Sequence, residues 1–418
     1  MAGIKATMML GGMVASGGLL GYFQSNIVDW LESGDRNHSC ANNDACSQFR
    51  FNRDMRMAEN TQSTGYSLDK DSIQIDNDLN TVYAMLNSDG VNPDTANQLV
   101  LTMEFLADGV LRTYITEEGS EFRISSETLA VNPDLARSTD AQFTIGDSTL
   151  TVDGLSSSFG DESFSYVVDF ESFKISQLNS SGAVTAMVNN DNSLFVQSKA
   201  ALQEEIVEET LLASFIRKTQ NFSLFDSSLL SDISDVTEGV GISVWYPTET
   251  IFGLGEREDT LVLETTTGGE PLELFAHDDP HEPDSPKTLY GQLPIVTGIS
   301  TSIAQAFYWV NSAHSWVFID EASNGDTTGR EVSFVSESGA CEFFVFSSSA
   351  KTSTRRMNRA KRIQQKISDL TGPAFLPPLH TLGFHYSKYA PASSDILRER
   401  NDNFSTNNFP VDVLWMDI

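Results

Sequence analysis

Positive charge is what this sequence has least of: 26 Lys and Arg stand against 58 Asp and Glu, a formal net charge of −32. A surface that acidic repels nucleic acid and anionic lipid, so neither is expected as a partner, and a neutral ligand is indifferent to it. Cysteine is scarce, with three residues in 418. Cys40 and Cys46 have five residues between them in an Asn- and Asp-rich segment, and a zinc site there needs more ligands than the neighbouring His38 adds. Long apolar runs are missing after the first 25 residues, which leaves no further stretch able to cross a bilayer. The GxG of Phe252–Arg257 (FGLGER) has no third glycine and no βαβ setting, so a dinucleotide site is not expected and a tight turn accounts for its glycines. No internal repeat or low-complexity tract is present, and no cofactor is called for.

Residues 1–25 carry one early cation, Lys5, and then an uncharged run of apolar and small residues, with Ala15-Ser16-Gly17 as a candidate cleavage site. The pattern is that of a secretory signal peptide, and an uncleaved anchor is the rival reading. An oxidising compartment would allow Cys40 and Cys46 to close a small disulfide loop within a segment spanning 26–66. Asn37, Asn179, Asn221 and Asn403 lie in N-x-Ser/Thr sequons, in keeping with a secretory chain. Cys341, inside ACEFFVF, reads as a free thiol in a buried strand.

Short alternating runs broken by Gly, Asn, Asp and Ser fill residues 67–348. Leu99–Phe105, Leu111–Ile115, Phe164–Phe170, Ile242–Tyr246, Phe307–Val310 and Phe343–Phe346 are the clearest strands, and many strands without long helices predict a β-sandwich. Leu202–Ile216 reads as a helix or as a strand and turn. Within 349–376, Lys351–Leu370 has helical spacing and a basic cluster of Arg355, Arg356, Arg359, Lys361 and Arg362. No aromatic residues are interleaved for base stacking, so this is read as a solvated helix face docked on acidic neighbours.

From 377 onward the pattern changes. Leu382–Tyr386 is a short strand-forming run, Ser393, Ser394 and Asp395 offer N-cap side chains, and Ile396, Leu397, Arg400 and Phe404 follow at helical spacing. Asn407-Asn408 breaks the helix, and Val411–Met416, apolar except for Asp412, suits a parallel strand covered on both faces. Strand, helix, strand is a βαβ unit. Tyr389 and Asp417 stand at the carboxyl ends of its strands, where ligand crevices form. Asp417 also has a plain reading, as a carboxylate accepting backbone N–H bonds. His277–Asp284 (HDDPHEPD) is the densest polar cluster: His277, Asp279 and His281 are metal-ligand types, but Pro280 and Pro283 stiffen the loop against wrapping one ion, and a plain acidic loop is the rival. No metal site is assigned.

LGFHYSKY, with the Asp of VDVLWMDI twenty-eight residues after its last Tyr, resembles the opening of the catalytic barrel of glycoside hydrolase family 31. IFGLGEREDTLVL (251–263), LYGQLP (289–294), FYWVNSAHSWV (307–317) and SESG (336–339) agree with the family in the same order. The resemblance implies a mainly β chain: an N-terminal β-sandwich followed by the first βαβ unit of a (β/α)8 barrel, with the chain ending inside that barrel. It also implies a retaining exo-α-glucosidase. Asp278, in FAHDDP, matches a sandwich-loop aspartate on the leaving-group side of the sugar. Tyr389, Asp417 and Ile418 match positions lining the subsite for the non-reducing terminal sugar. Lys388 replaces an arginine common in relatives, and Tyr386 and Ser387 also differ. The nucleophile and acid/base are expected after Ile418, so no catalytic residue is assigned here. HSCANNDACSQFRFNRD resembles the cysteine segment of the family's N-glycan-trimming branch, which implies a glucosylated N-glycan substrate, the endoplasmic reticulum lumen and a regulatory β subunit as partner. A secreted or lysosomal-type α-glucosidase on maltose-like sugars and a non-catalytic carbohydrate-binding protein are the alternatives.

Overall fold

Four short strands in sequence, β1 (Tyr66–Asp76), β2 (Thr81–Ser88), β3 (Gln98–Phe105) and β4 (Leu111–Glu117), pair as an antiparallel meander. Period-two alternation decides its inner face: Leu99, Leu101 and Met103 lie opposite Leu86, Ala84 and Val82, and all six are buried. The computed structural model describes residues 39–59, 65–88, 98–117, 131–132, 135–157, 162–197, 238–278, 282–349, 359–388 and 393–417. Residues 1–25 and Leu202–Ile216 lie outside them, as do Arg355, Arg356, Asp279, His281, Tyr389 and Ile418. The chain divides into two compact units, Met1–Leu370 and Thr371–Ile418.

The first unit continues with β5 (Gln142–Ile145), β6 (Thr149–Ser156), β7 (Ser163–Asp169), β8 (Lys174–Asn179), β9 (Val184–Val188) and β10 (Phe195–Gln197). Then come β11 (Glu238–Tyr246), β12 (Ile251–Gly253), β13 (Arg257–Glu258), β14 (Leu272–Leu274) and β15 (Ser285–Thr288). Last are β16 (Ile295–Ile299), β17 (Ala304–Trp309), β18 (Ser315–Asn324), β19 (Thr327–Ser338) and β20 (Cys341–Ser348). An eight-stranded sheet has the order β1-β2-β3-β4-β20-β17-β16-β12; a ten-stranded one runs β14-β18-β19-β11-β9-β8-β7-β6-β5, with β10 beside β11. One hydrophobic core draws on both sheets, including Leu101, Phe307 and Phe343 from the first and Tyr166, Ile242 and Phe334 from the second. Ring centroids of Phe307 lie 5.4 Å from Phe334 and 5.1 Å from Phe343. The free thiol of Cys341 belongs to this core, where burial pushes it well above the ordinary thiol range.

Each sheet carries a helix. Helix α1 (Asp44–Glu59) carries Cys46, disulfide-bonded to Cys40, and both cysteines and Phe49 pack with Phe195, Trp316, Phe318 and Val335 of the ten-stranded sheet. The described part of the cysteine segment therefore joins the packing of the ten-stranded sheet. Arg53 makes the docking specific, donating from Nε to Asp320 Oδ2 at 2.8 Å and from Nη2 to Oδ1 at 2.5 Å. Helix α2 (Arg359–Thr371) lays Ile363, Ile367 and Leu370 against Ala304, Ala306, Phe344 and Phe346 of the eight-stranded sheet. Arg362 pairs with buried Glu162 at 2.8 Å, and the Lys366 ammonium donates to the carbonyls of Asp108 and Ser347 at 2.7 and 2.8 Å. Burial holds the Lys366 amine down to about 8.

In the second unit β21 (His385–Tyr386) and β22 (Val413–Leu414) pair in parallel, with α3 (Ser394–Thr406) between them in sequence. Ser393 Oγ accepts the Ile396 N–H, and Asn407 and Asn408 end the helix, Asn408 with φ of 55°. Both strands are shorter than the sequence predicts, because Leu379–Leu382 forms a 3-10 turn and Asp412 Oδ2 accepts the Phe384 N–H at 2.8 Å. The run is not covered on both faces either: Trp415 and Met416 are 53% and 68% exposed.

Candidate functional site

The loop after β14 is held from below by Arg257. Its guanidinium donates to the carbonyls of Leu254, Pro286 and Glu273 at 2.8, 2.6 and 2.9 Å, fastening three segments to one side chain. Burial brings that group down to about 10, against the opposing pull of Asp259 and Glu273. The preceding glycine turn is tight. Gly253 has φ of +127°, and a Cβ there would lie 2.1 Å from the Ile295 carbonyl oxygen.

Segment 275–278 then runs beside the end of β15. His277 N–H donates to the Leu289 carbonyl at 3.1 Å, and Thr288 Oγ1 donates to the Phe275 carbonyl. Glu256 locks the next residues: its backbone exchanges with Leu289 and Gly291 at 3.0 and 2.8 Å, and its carboxylate accepts the Gly291 N–H at 2.9 Å. A side chain at 291 would meet Glu256 Cδ at 2.7 Å. This ladder brings Asp278 and Tyr290 together, and Tyr290 Oη donates to Asp278 Oδ1. Asp278 is exposed, as is Tyr290 at 63%.

The neighbouring histidine faces elsewhere. His277 Nε2 lies 3.3 Å from Glu273 Oε2, while His314 Nε2 lies 2.6 Å from Glu273 Oε1 and stacks on Trp316 at 4.0 Å. Phe275 packs between the two imidazoles, at 5.3 and 4.6 Å. Among the described residues no group of three or more His, Cys, Asp or Glu could hold a metal ion. In the second unit, Asp417 lies three residues beyond β22 and accepts the Ser387 hydroxyl at 3.2 Å. Trp415 Nε1 donates to His385 Nδ1 at 2.9 Å. Sequence reasoning missed Tyr290 and Ser387 as partners of these carboxylates. Tyr290 left a signal in LYGQLP, an aromatic residue next to a glycine after a loop of acids.

Residues 100–317, over half of the chain, match the glycosyl hydrolase 31 N-terminal galactose mutarotase-like domain. The chain belongs to glycoside hydrolase family 31. It is 29% identical to neutral alpha-glucosidase AB of Mus musculus over 196 residues, which cover 43% of this chain and 20% of that protein. It is 26% identical to glucosidase 2 subunit alpha of Saccharomyces cerevisiae over 244 residues, 56% of this chain and 23% of that one. The chain thus spans about a fifth of the length of the curated relatives it matches. Its fold is that of a glucosidase II alpha subunit crystallised with Glc1Man2, with a TM-score of 0.71 and 20% identity over 91% of this chain and 42% of that one. A Flavobacterium johnsoniae GH31 dextranase is more distant, at a TM-score of 0.52 and 16% identity over 85% of this chain and 33% of that one.

Proposed function

We propose that the protein carrying this chain is a retaining exo-α-glucosidase that removes terminal α-linked glucose, with the glucose caps of N-glycans as its substrate. The observation that carries this reading is the family match over residues 100–317, a span that contains the Asp278 loop. The relatives named above support the glucoside, and the Cys40–Cys46 segment docked on the sandwich supports the N-glycan branch. In this reading the Asp278 carboxylate accepts hydroxyls of the leaving-group sugar, since a carboxylate is acceptor-only and takes paired O–H donors well. Tyr389, Asp417 and Ile418 line the subsite for the terminal glucose. The parallel β21–α3–β22 unit, with Phe375, Leu376, Trp415 and Met416 exposed, opens a (β/α)8 barrel. Hydrolysis with retention needs two carboxyl groups about 5 Å apart, and neither is assigned to residues 1–418. The protein resides in the endoplasmic reticulum lumen and pairs with a regulatory subunit. Support for the pairing comes from a similar crystal structure, an ER glucosidase II heterodimer of a catalytic subunit and the binding domain of its regulatory subunit.

The test is anomeric NMR on the full-length protein given a glucosylated N-glycan and, separately, maltose. Release of the α-anomer first, with preference for the glycan, is the expected result. Preference for maltose would favour the secreted or lysosomal-type reading. Sugar binding without hydrolysis would leave a carbohydrate-binding protein, and β-anomer release would rule out retention.

A further inference from the structure

Asp278 on an exposed loop has no reason of its own to hold one rotamer, and sugar recognition demands that it does. Among the described residues its hydrogen bond comes from Tyr290 Oη. The phenol is placed there by backbone and not by chance of packing. His277 is bonded to Leu289, and Glu256 clamps both Leu289 and Gly291, the two neighbours of Tyr290. The tyrosine is 63% exposed despite this anchoring, so its ring reaches solvent beside the carboxylate. A ring and a carboxylate side by side supply what a pyranose needs. One offers an apolar surface to its C–H face, the other an acceptor for its hydroxyls.

We infer that Tyr290 is a positioning residue for Asp278, and that the pair reads the sugar on the leaving-group side of the scissile bond. This rests on the glucosidase reading and on Asp278's place in it. One lone pair of Oδ1 is occupied by the phenol, which leaves Oδ2 and the remaining Oδ1 lone pair directed to sugar hydroxyls. A leaving group without hydroxyls gains nothing from the carboxylate. Tyr290 therefore sets specificity for what glucose is attached to, not for glucose itself.

The experiment compares Tyr290→Phe, Tyr290→Ala and Asp278→Asn in the full-length protein, on an α-glucosyl disaccharide and on an aryl α-glucoside. Loss of one hydrogen bond to a charged group predicts a fall of about 10-fold in the disaccharide-to-aryl ratio of kcat/KM for Tyr290→Phe. Tyr290→Ala removes the ring as well and should lower kcat/KM on both substrates. If Asp278→Asn lowers the ratio and Tyr290→Phe does not, the inference is wrong while the glucosidase reading stands. If Tyr290→Phe lowers both substrates equally along with Tm, the residue is merely structural and the inference falls. If no variant moves the ratio, Asp278 has no role in binding the leaving-group sugar, and that part of the glucosidase reading falls too. Absence of hydrolysis by the unmutated full-length protein would overturn the glucosidase reading itself.

Discussion

At Glu331 a carboxyl group sits in the ten-stranded sheet between Asp320 and Trp245 on the neighbouring strands. Burial first, then the charges of Asp191 and Asp320, push it well above the usual carboxylate range, and neither of its buried oxygens has a hydrogen-bond partner among the described residues. The unfolded chain releases this proton near the ordinary value, so the folded state holds an extra proton between the two. The stability that Glu331 supports is complete below the unfolded value and is lost as pH rises toward the folded one. Glu331→Gln keeps the shape and cannot ionise. It should raise Tm by a few degrees at about pH 8 and leave it nearly unchanged at about pH 4. Equal shifts at both pH values would show that ionisation is not the cause. None of this was legible in REVSF, where Glu331 looks like an outward residue of an alternating strand. It is buried because its face of the sheet is covered, which strand periodicity cannot reveal. The same holds for Asp278: its position could be read, but its partner Tyr290 is twelve residues away, and their approach depends on the pairing of segment 275–278 with 288–290.

Elements were legible where their signals were local. The six clearest strands all form, and Ser393 caps α3 through a side chain three residues from its donor. Helix α1 was not legible. Its buried positions Cys46, Phe49 and Arg53 have helical spacing, but the third is a cation, and the docking face reads as polar. Arg53 lies over the Phe318 ring at 4.7 Å, and Thr267 Oγ1 gives Asp320 a further hydrogen bond at 2.7 Å. Arg53→Ala leaves Asp320 buried without its cation, and breaking a buried pair from one side costs about 3–5 kcal/mol. The expected outcome is a loss of that order in chemical denaturation, with faster amide exchange in α1 first. Arg53→Met, with Asp320→Leu, should recover much of it, since the pair is replaced by apolar volume. Failure of the double variant to recover would assign the loss to hydrogen bonds around Thr267.

For the whole molecule, acidity and architecture point the same way. A net charge of −32 is no obstacle to a neutral glycan, and it says nothing about where chemistry occurs. Three of the second unit's carboxylates are already in use: Asp412 accepts the Phe384 N–H, Asp395 pairs with Arg398 at 2.8 Å, and Asp417 accepts the Ser387 hydroxyl. In the proposed reading Asp417 orients a sugar, but one carboxylate cannot attack the anomeric carbon and also protonate the leaving oxygen on the opposite side. Residues 1–418 expressed by themselves should therefore leave a chromogenic α-glucoside unhydrolysed. Proximity and charge preorganisation require both groups on rigid neighbouring strands, and the β21–β22 pair carries neither, with Asp417 three residues beyond β22. Assay of the purified 418 residues beside their Asp417→Asn variant decides the point. Turnover above background that vanishes in the variant would place the catalytic centre at Asp417 and overturn its assignment as a binding residue.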